Sequence, residues 1–222
     1  MQGVTNIHQN SLCSSVVIDD LYSRFHTDPN IGIACLYADY KDQNNQTLVH
    51  ILGCFLHQFL TAVQNPIPDE VIEKLDDIRK RGGKAGSEDM LALLKIRLQQ
   101  FKLGFICIDA VDELDPHVQR QVLDTLKELG TTTNNTRLFL TGRSHMDSEV
   151  QKRLQAMQQY KIVIRASPQD IQDFLRQQIR DDLDPDIMDE ALEEDIINSI
   201  INQSQGMYVT EFISYDGGNV TY

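Results

Sequence analysis

Residues Phe105–Leu114 read FICIDAVDEL, and this stretch is the strongest indication of the fold. An apolar run of strand length ends in Asp109, and two more acids, Asp112 and Glu113, follow within the next turn of backbone. In α/β proteins, ligand-facing side chains collect at the carboxyl ends of parallel strands, so this order of residues is typical of that class. Short apolar strands also alternate with longer amphipathic helices along the rest of the chain. The sequence therefore predicts an α/β fold with a mainly parallel sheet.

Hydrophobic periodicity and turn signals place the individual elements. Strands are predicted at residues 31–37, 105–108, 137–141 and 160–165. Helices are predicted at residues 11–25, 47–60, 69–81, 87–100, 115–130, 167–182 and 186–203. Gly130 is expected to end the fifth helix and to be followed by a polar loop over residues 131–136. The last residues, EFISYDGGNVTY, fit either a hairpin or a frayed chain end, and both interpretations stay open.

Composition excludes several classes of protein. Among 222 residues, 33 acids outnumber 20 basic residues, giving a formal charge of −13, whereas a nucleic-acid binder needs lysine and arginine against the phosphates. No apolar run approaches the length of a membrane span, and the first ten residues are too polar for a signal peptide. The four cysteines are far apart and form no CxxC pair, as expected of free thiols in a reducing compartment. We therefore expect a cytoplasmic protein that binds neither nucleic acid nor membrane.

The candidate catalytic residues follow two predicted strands. Asp109 stands at a strand end, where a carboxylate holds Mg²⁺ directly or through water, and Asp112 or Glu113 can orient an attacking water. Arg143 follows the strand RLFLT (137–141), where a guanidinium can stabilise charge on a transferred phosphoryl group. Two such signals in this order favour a nucleotide-binding fold.

A purely structural interpretation of the same residues is also open. Asp109 would then cap a turn, and the two following acids would be solvated. Arg143 would be a surface residue that pairs with Asp147 or Glu149, which follow it closely in the sequence.

These motifs resemble a known family. FICIDAVDEL resembles the Walker B segment of NACHT-type NTPases, the STAND class of signalling ATPases, and RLFLTGRSH resembles their sensor 1 strand. CLYADYKDQNNQTLVHILGCFLHQFL (35–60) is similar to the strand and helix between Walker A and Walker B in fungal NACHT proteins with a nephrocystin-like N-terminal module. SQGMY, near residue 204, resembles the start of their winged-helix region. The resemblance runs from about residue 14 to residue 208.

The resemblance implies a fold, a cofactor and roles for individual residues. The fold is a three-layer P-loop NTPase-like sheet with flanking helices, and the cofactor is Mg-ATP. Asp109 would be the magnesium ligand, and Asp112, Glu113 and Arg143 would be catalytic. Residues 14–182 would be a partial NACHT domain and 183–208 a helical extension toward the winged-helix region, leaving 1–13 outside the family and 209–222 as a tail or hairpin. Long proteins of this kind usually continue into ankyrin or other repeats and are thought to act as ATP-driven oligomerising sensors.

The phosphate-binding loop of the family has no counterpart in this sequence. That loop reads G-x-x-x-x-G-K-[ST], and its N–H groups and lysine hold the phosphates. Gly83-Lys84 is the only Gly-Lys pair, with Ile78 and Ala85 at the other required positions, and it follows no predicted strand. In the family the loop precedes the helix that corresponds to residues 14–25, where this chain has MQGVTNIHQNSLC. We therefore expect this chain to bind little or no nucleotide.

Loss of the strand before that loop has a consequence for folding. In the resembled fold this strand lies inside the sheet, so its neighbours would present unpaired edges. Neither the N-terminal VTNIH nor the C-terminal segment is long or apolar enough to be expected in the gap.

Three functional hypotheses follow. The first is a truncated NACHT-like module, impaired or inactive as an NTPase, which acts through protein partners or self-association. The alternative is a Mg-ATP-binding NTPase whose Walker A element comes from elsewhere or was lost from the gene model. The third is a non-functional remnant. Whether the chain is an enzyme stays open at this point.

Overall fold

The computed structural model describes residues 8–61, 66–164, 167–182, 190–204 and 209–215. The helices are α1 (His8–Phe25), α2 (Leu48–Thr61), α3 (Asp69–Lys80), α4 (Ser87–Gln99), α5 (Pro116–Thr133), α6 (Asp147–Arg153), α7 (Pro168–Asp182) and α8 (Glu190–Ser204). The strands are β1 (Ile31–Tyr37), β2 (Leu103–Asp109), β3 (Thr136–Arg143), β4 (Gln158–Ile164) and β5 (Val209–Tyr215). The predicted alternation of strands and helices is confirmed.

The first three strands form a parallel sheet. β1 pairs with β2 from Ile31 opposite Leu103 to Tyr37 opposite Asp109, and β2 pairs with β3 up to Ile108 opposite Leu140. Helices α2 to α4 connect β1 to β2, and α5 connects β2 to β3. The carboxyl ends of all three strands therefore meet at one edge of the sheet.

Side chains of this sheet alternate between two buried clusters. In β2, Ile106 and Ile108 belong to the larger cluster with α2, α4 and α5, whereas Cys107 lies in a smaller one that contains Ile18 of α1. Phe139 of β3 joins the smaller cluster as well. Because successive strand residues point to opposite faces, this division means that helices cover the sheet on both sides. The predicted α/β architecture with flanking helices is confirmed.

Side-chain caps begin α2 and α5, close to the predicted starts at residues 47 and 115. The hydroxyl of Thr47 accepts a hydrogen bond from the backbone N–H of His50 (3.3 Å). The Asp115 carboxylate accepts one from the backbone N–H of His117 (2.8 Å), with Pro116 as the first residue of α5. These side chains satisfy N–H groups that the first helical turn leaves unpaired.

The predicted end of α5 at Gly130 was wrong. The helix continues to Thr133 and ends at Asn134, which has a left-handed φ of 50°. The Thr133 hydroxyl supports the extra turn by donating to the carbonyl of Leu129 (2.7 Å). Gly130 instead makes room for the Met157 side chain, because a Cβ there would lie 2.3 Å from Cε of Met157, which would have to shift.

The free edge of β1 is covered by one glutamine. The Gln58 side chain of α2 accepts a hydrogen bond from the backbone N–H of Cys35 (2.9 Å) and donates to its carbonyl (2.8 Å). The amide of Gln58 thus takes the place of a neighbouring strand at this residue. An edge strand covered in this way is a poorer template for pairing with another chain.

The C-terminal segment corrects a second prediction. The strand order is β1-β2-β3-β5-β4, so β5 lies between β3 and β4. The expectation that this segment is too short and too polar to enter the sheet was wrong. The other half of the predicted hairpin (216–222) and the N-terminal VTNIH (4–8) lie wholly or mostly outside the described residues.

The chain divides into two compact units, one of residues 1–162 with 210–222 and one of residues 163–209. Within the second unit, α7 and α8 are joined by an ion pair between Arg176 and Glu193 (3.7 Å). The division predicted at residues 13, 182 and 208 stays a prediction. In the described part of the chain, no helix combines the length and apolarity needed to cross a bilayer.

Candidate functional site

Asp109 is the buried centre of the edge formed by the strand ends. It is the last residue of β2 and only 2% exposed. The hydroxyl of Thr141, in the neighbouring strand β3, donates a hydrogen bond to Oδ1 of Asp109 (2.5 Å) and accepts one from the backbone N–H of Ala110 (2.9 Å). A hydrogen bond to a carboxylate is stronger than one between neutral groups, so Thr141 fixes the carboxylate firmly.

Ala110 turns the chain back toward the sheet. Its φ is 54°, in the left-handed region that residues with a Cβ rarely adopt. The backbone N–H of Glu113 then donates to the carbonyl of Ala110 (2.8 Å), which closes a short 3₁₀ turn over Val111–Glu113. This turn brings Asp112 and Glu113 to the edge that carries Asp109.

Arg143 at the end of β3 holds both of these acids. Its Nε lies 3.3 Å from Oδ2 of Asp112, its backbone N–H donates to Oδ1 of Asp112 (3.2 Å), and its Nη2 lies 3.9 Å from Oε1 of Glu113. The Asp112 side chain is 3% exposed, whereas that of Arg143 is 61% exposed. Gly142 permits the close approach, because a Cβ there would meet Val111 at 3.2 Å.

The alternative pairing of Arg143 was wrong. Asp147 forms an ion pair with Lys161, and Glu149 pairs with Arg153 at 2.5 Å. The suggestion that both acids are simply solvated was also wrong for Asp112, which is buried. The four candidate residues named from the sequence therefore lie together, and their proposed catalytic roles stay predictions.

Glu113 is held from its other side by the loop after β1. The backbone N–H of Tyr40 donates to Oε2 of Glu113 (3.3 Å), and the Gln43 side chain donates to the Glu113 carbonyl (2.8 Å). Burial raises the pKa of Glu113 above its ordinary value, and the negative charge of Asp112 acts in the same direction. The Tyr40 N–H and the Arg143 charge oppose this increase. The neutral form of Glu113 is thereby favoured relative to an exposed glutamate.

Sequence reasoning missed the residues that support the four candidates. Thr141, Tyr40 and Gln43 were given no role, although Thr141 is quoted in the same strand motif as Arg143. A usable signal was present for Thr141, because parallel strands in register place their final polar residues side by side. Tyr40 and Gln43 carry no comparable signal, since their contacts depend on how an irregular loop folds.

Among the described residues, no three His, Cys, Asp or Glu side chains are placed to hold a metal ion. Gly83-Lys84 lies in the turn between α3 and α4, with φ of 75° at Gly83, and not after a strand. Within the chain, Thr141 donates a hydrogen bond to Asp109, and Arg143 pairs with Asp112 and Glu113.

A family model described as "Nephrocystin 3, N-terminal" matches residues 10–143. This range includes β1, β2, β3 and all of the candidate site. No curated protein matches the chain.

Proposed function

Because the chain belongs to the nephrocystin 3 N-terminal family, we propose that it is a NACHT-like signalling module that does not hydrolyse ATP alone and acts through protein contacts. Its carboxylates and arginine would bind one another and thereby stabilise the fold. The observation that carries this proposal is the capture of Arg143 by Asp112 and Glu113. Arg143 and the two acids are then engaged with one another, so a phosphate or a metal would have to compete with these contacts.

Electrostatics at the strand ends support weak nucleotide binding. The carboxylates of Asp112 and Glu113 lie near the Arg143 guanidinium, and Asp109 adds a third carboxylate at the same strand ends. A phosphate loop would offset this charge with oriented N–H donors and a lysine, each charge-assisted bond contributing roughly 1.5–3 kcal/mol. This sequence encodes no such loop, so we expect several kcal/mol less binding than a complete site provides.

Thermal denaturation with Mg-ATP tests this proposal. The midpoint for the 222-residue chain should stay within error of its value with magnesium chloride alone, and phosphate release should equal the buffer rate. Asp109→Asn should leave that comparison unchanged, and Glu70→Gln, at an exposed acid of α3, is the matched control. A rise of several degrees with Mg-ATP that Asp109→Asn removes and Glu70→Gln does not would refute the proposal.

The second candidate is a Mg-ATP-binding NTPase that receives its phosphate loop from elsewhere. One observation favours it: the structure gathers Asp109, Asp112, Glu113 and Arg143 at one edge of a parallel sheet. Magnesium-dependent binding of labelled ATP in equilibrium dialysis, lost in Arg143→Ala, would select this candidate over the first.

Exposed apolar side chains support the protein-contact part of the proposal. Tyr160 and Ile162, two residues apart in β4, are 48% and 46% exposed. Large apolar groups in one row of a strand are typical of contact surfaces. If self-association uses this row, Tyr160→Lys with Ile162→Lys should shift the sedimentation equilibrium toward monomer, and the same change at exposed Glu70 and Glu73 should not.

We propose the cytoplasm as location because Cys35, Cys54 and Cys107 are free thiols, and imaging of a tagged chain tests this.

A further inference from the structure

In the sheet, β3 and β4 are separated by the width of one strand. β4 follows β3 in the sequence after the short helix α6, yet the two strands are not neighbours in the sheet. Adjacent strands lie about 4.8 Å apart, so two strands separated by a third are about 9.6 Å apart. Without an occupant, the facing N–H and C=O groups of β3 and β4 would lack partners, and buried groups of this kind are rarely left unpaired.

The strand that fills this place comes from far along the chain. β5 lies between β3 and β4. Within β5, residues 210–215 group with the unit that contains β3. The strand order and this grouping both assign the C-terminal segment to the sheet.

The sequence of β5 suits an internal strand. VTEFISY contains neither proline nor glycine, and five of its seven residues are β-branched or aromatic. Such residues are enriched in strands, and a strand paired on both sides must donate N–H groups in both directions.

We propose that the space between β3 and β4 is a strand-binding slot, that the chain's own C-terminal strand β5 fills it, and that this filling holds the candidate site in its observed geometry. The connection runs through β3, which pairs with β2 on one side and with β5 on the other. The carboxyl end of β3 carries Thr141, which bonds Asp109 and the Ala110 N–H, and Arg143, which bonds Asp112. A change in the pairing between β3 and β5 should therefore alter the positions of these acids.

Hydrogen–deuterium exchange on the intact chain is the first test. Amides of Val209–Tyr215 should exchange as slowly as those of β3, because a strand inside a sheet opens only with the sheet. Exchange of these amides at the rate of an unstructured peptide, while β3 stays protected, would overturn the proposal.

Two proline variants of the full chain give the second test. Adjacent strand residues direct their N–H groups to opposite sides, so an internal strand loses a ladder bond from either Phe212→Pro or Ile213→Pro, whereas an edge strand loses one from only one of them. Both variants should lower the thermal midpoint by several degrees, and Asn219→Pro, beyond the end of β5, should not. Both should also speed exchange of the Ala110 amide by about tenfold or more, the factor that corresponds to opening made about 1.4 kcal/mol easier.

The proline variants separate the role of β5 in folding from its connection to the candidate site. If both strand variants fail to fold and Asn219→Pro folds, the slot is required for the sheet, as proposed. If either variant keeps the wild-type midpoint, β5 is not an internal strand. If both lower the midpoint but the Ala110 amide exchanges at the wild-type rate, the connection to the candidate site is wrong.

Discussion

Replacing Thr141 by valine should destabilise the protein far more than its single hydroxyl suggests. Valine has nearly the same shape, so the change removes hydrogen bonds and leaves the packing intact. Thr141 is fully buried, and its hydroxyl is bonded to the Asp109 carboxylate and to the Ala110 N–H. The first bond contributes roughly 1.5–3 kcal/mol because one partner is charged, and the buried N–H left without an acceptor costs about 1–3 kcal/mol. We expect a total near 3–4 kcal/mol, since losses at neighbouring groups are not fully additive.

Urea unfolding followed by circular dichroism measures this loss. Thr141→Ser should recover most of it, because serine keeps the hydroxyl. Thr131→Val is the matched control: the Thr131 hydroxyl also donates a hydrogen bond, to the Lys127 carbonyl (2.8 Å), but it lies on an exposed position of α5 and should cost less than about 0.5 kcal/mol. The reasoning is refuted if Thr141→Val costs no more than Thr131→Val, or if Thr141→Ser is as damaging as Thr141→Val.

Four further predictions concern titration, packing and the sheet edge. Burial raises the pKa of Glu113 in the folded protein, so the folded state binds more protons than the unfolded state. The free energy of unfolding should therefore fall as pH rises from the ordinary glutamate pKa through the folded-state pKa. The thermal midpoint of Glu113→Gln should accordingly rise relative to that of wild type between pH 4 and pH 7. A hydrogen bond from Arg81 lowers the pKa of Asp89, so the stability that this contact contributes is lost as pH falls. The thermal midpoint of Asp89→Asn should therefore fall relative to that of wild type as pH rises. Gly32→Ala should cost about 1–3 kcal/mol in urea unfolding because its Cβ would lie 2.7 Å from a phenyl ring, whereas Gly53→Ala, with open space in α2, should gain up to about 1 kcal/mol. Gln58→Ala should uncover the edge of β1 and increase light scattering on storage, and a variant that stays as clear as wild type would contradict this account of the edge.

Local signals in the sequence were sufficient for most of the first unit. The signals for α2 and for the start of α5 near residue 115 depend on a few neighbouring residues, and both helices are confirmed by the structure. The end of α5 was missed because glycine in a helix is destabilising unless packing requires it, and here the requirement comes from Met157, distant in sequence. Helix α6 had no sequence prediction; Arg153 bonds to Glu149 within it and to Asp124 outside it.

The candidate site was predictable in its members but not in its bonding. Asp109 and Arg143 were found because parallel strands deliver their final residues to one edge, a rule that requires no knowledge of side-chain conformation. The choice of partner for Arg143 was not accessible in this way. It depends on the left-handed turn at Ala110, which directs Asp112 toward β3, and a single alanine gives no sequence sign of that turn.

The ion pair between Arg143 and Asp112 opposes nucleotide binding at this site. A phosphate would compete for the Arg143 guanidinium with Asp112, whose side chain is 3% exposed, although that of Arg143 is 61% exposed. Breaking a fully buried pair costs about 3–5 kcal/mol, and the cost here is smaller because the Arg143 side chain is largely exposed. Adding a glycine and lysine loop would therefore supply donors for the phosphates without removing this cost. We expect a chain carrying such a loop to bind Mg-ATP more tightly when Asp112 is replaced by asparagine, and isothermal titration of the two versions would refute this argument if the order of affinities were reversed.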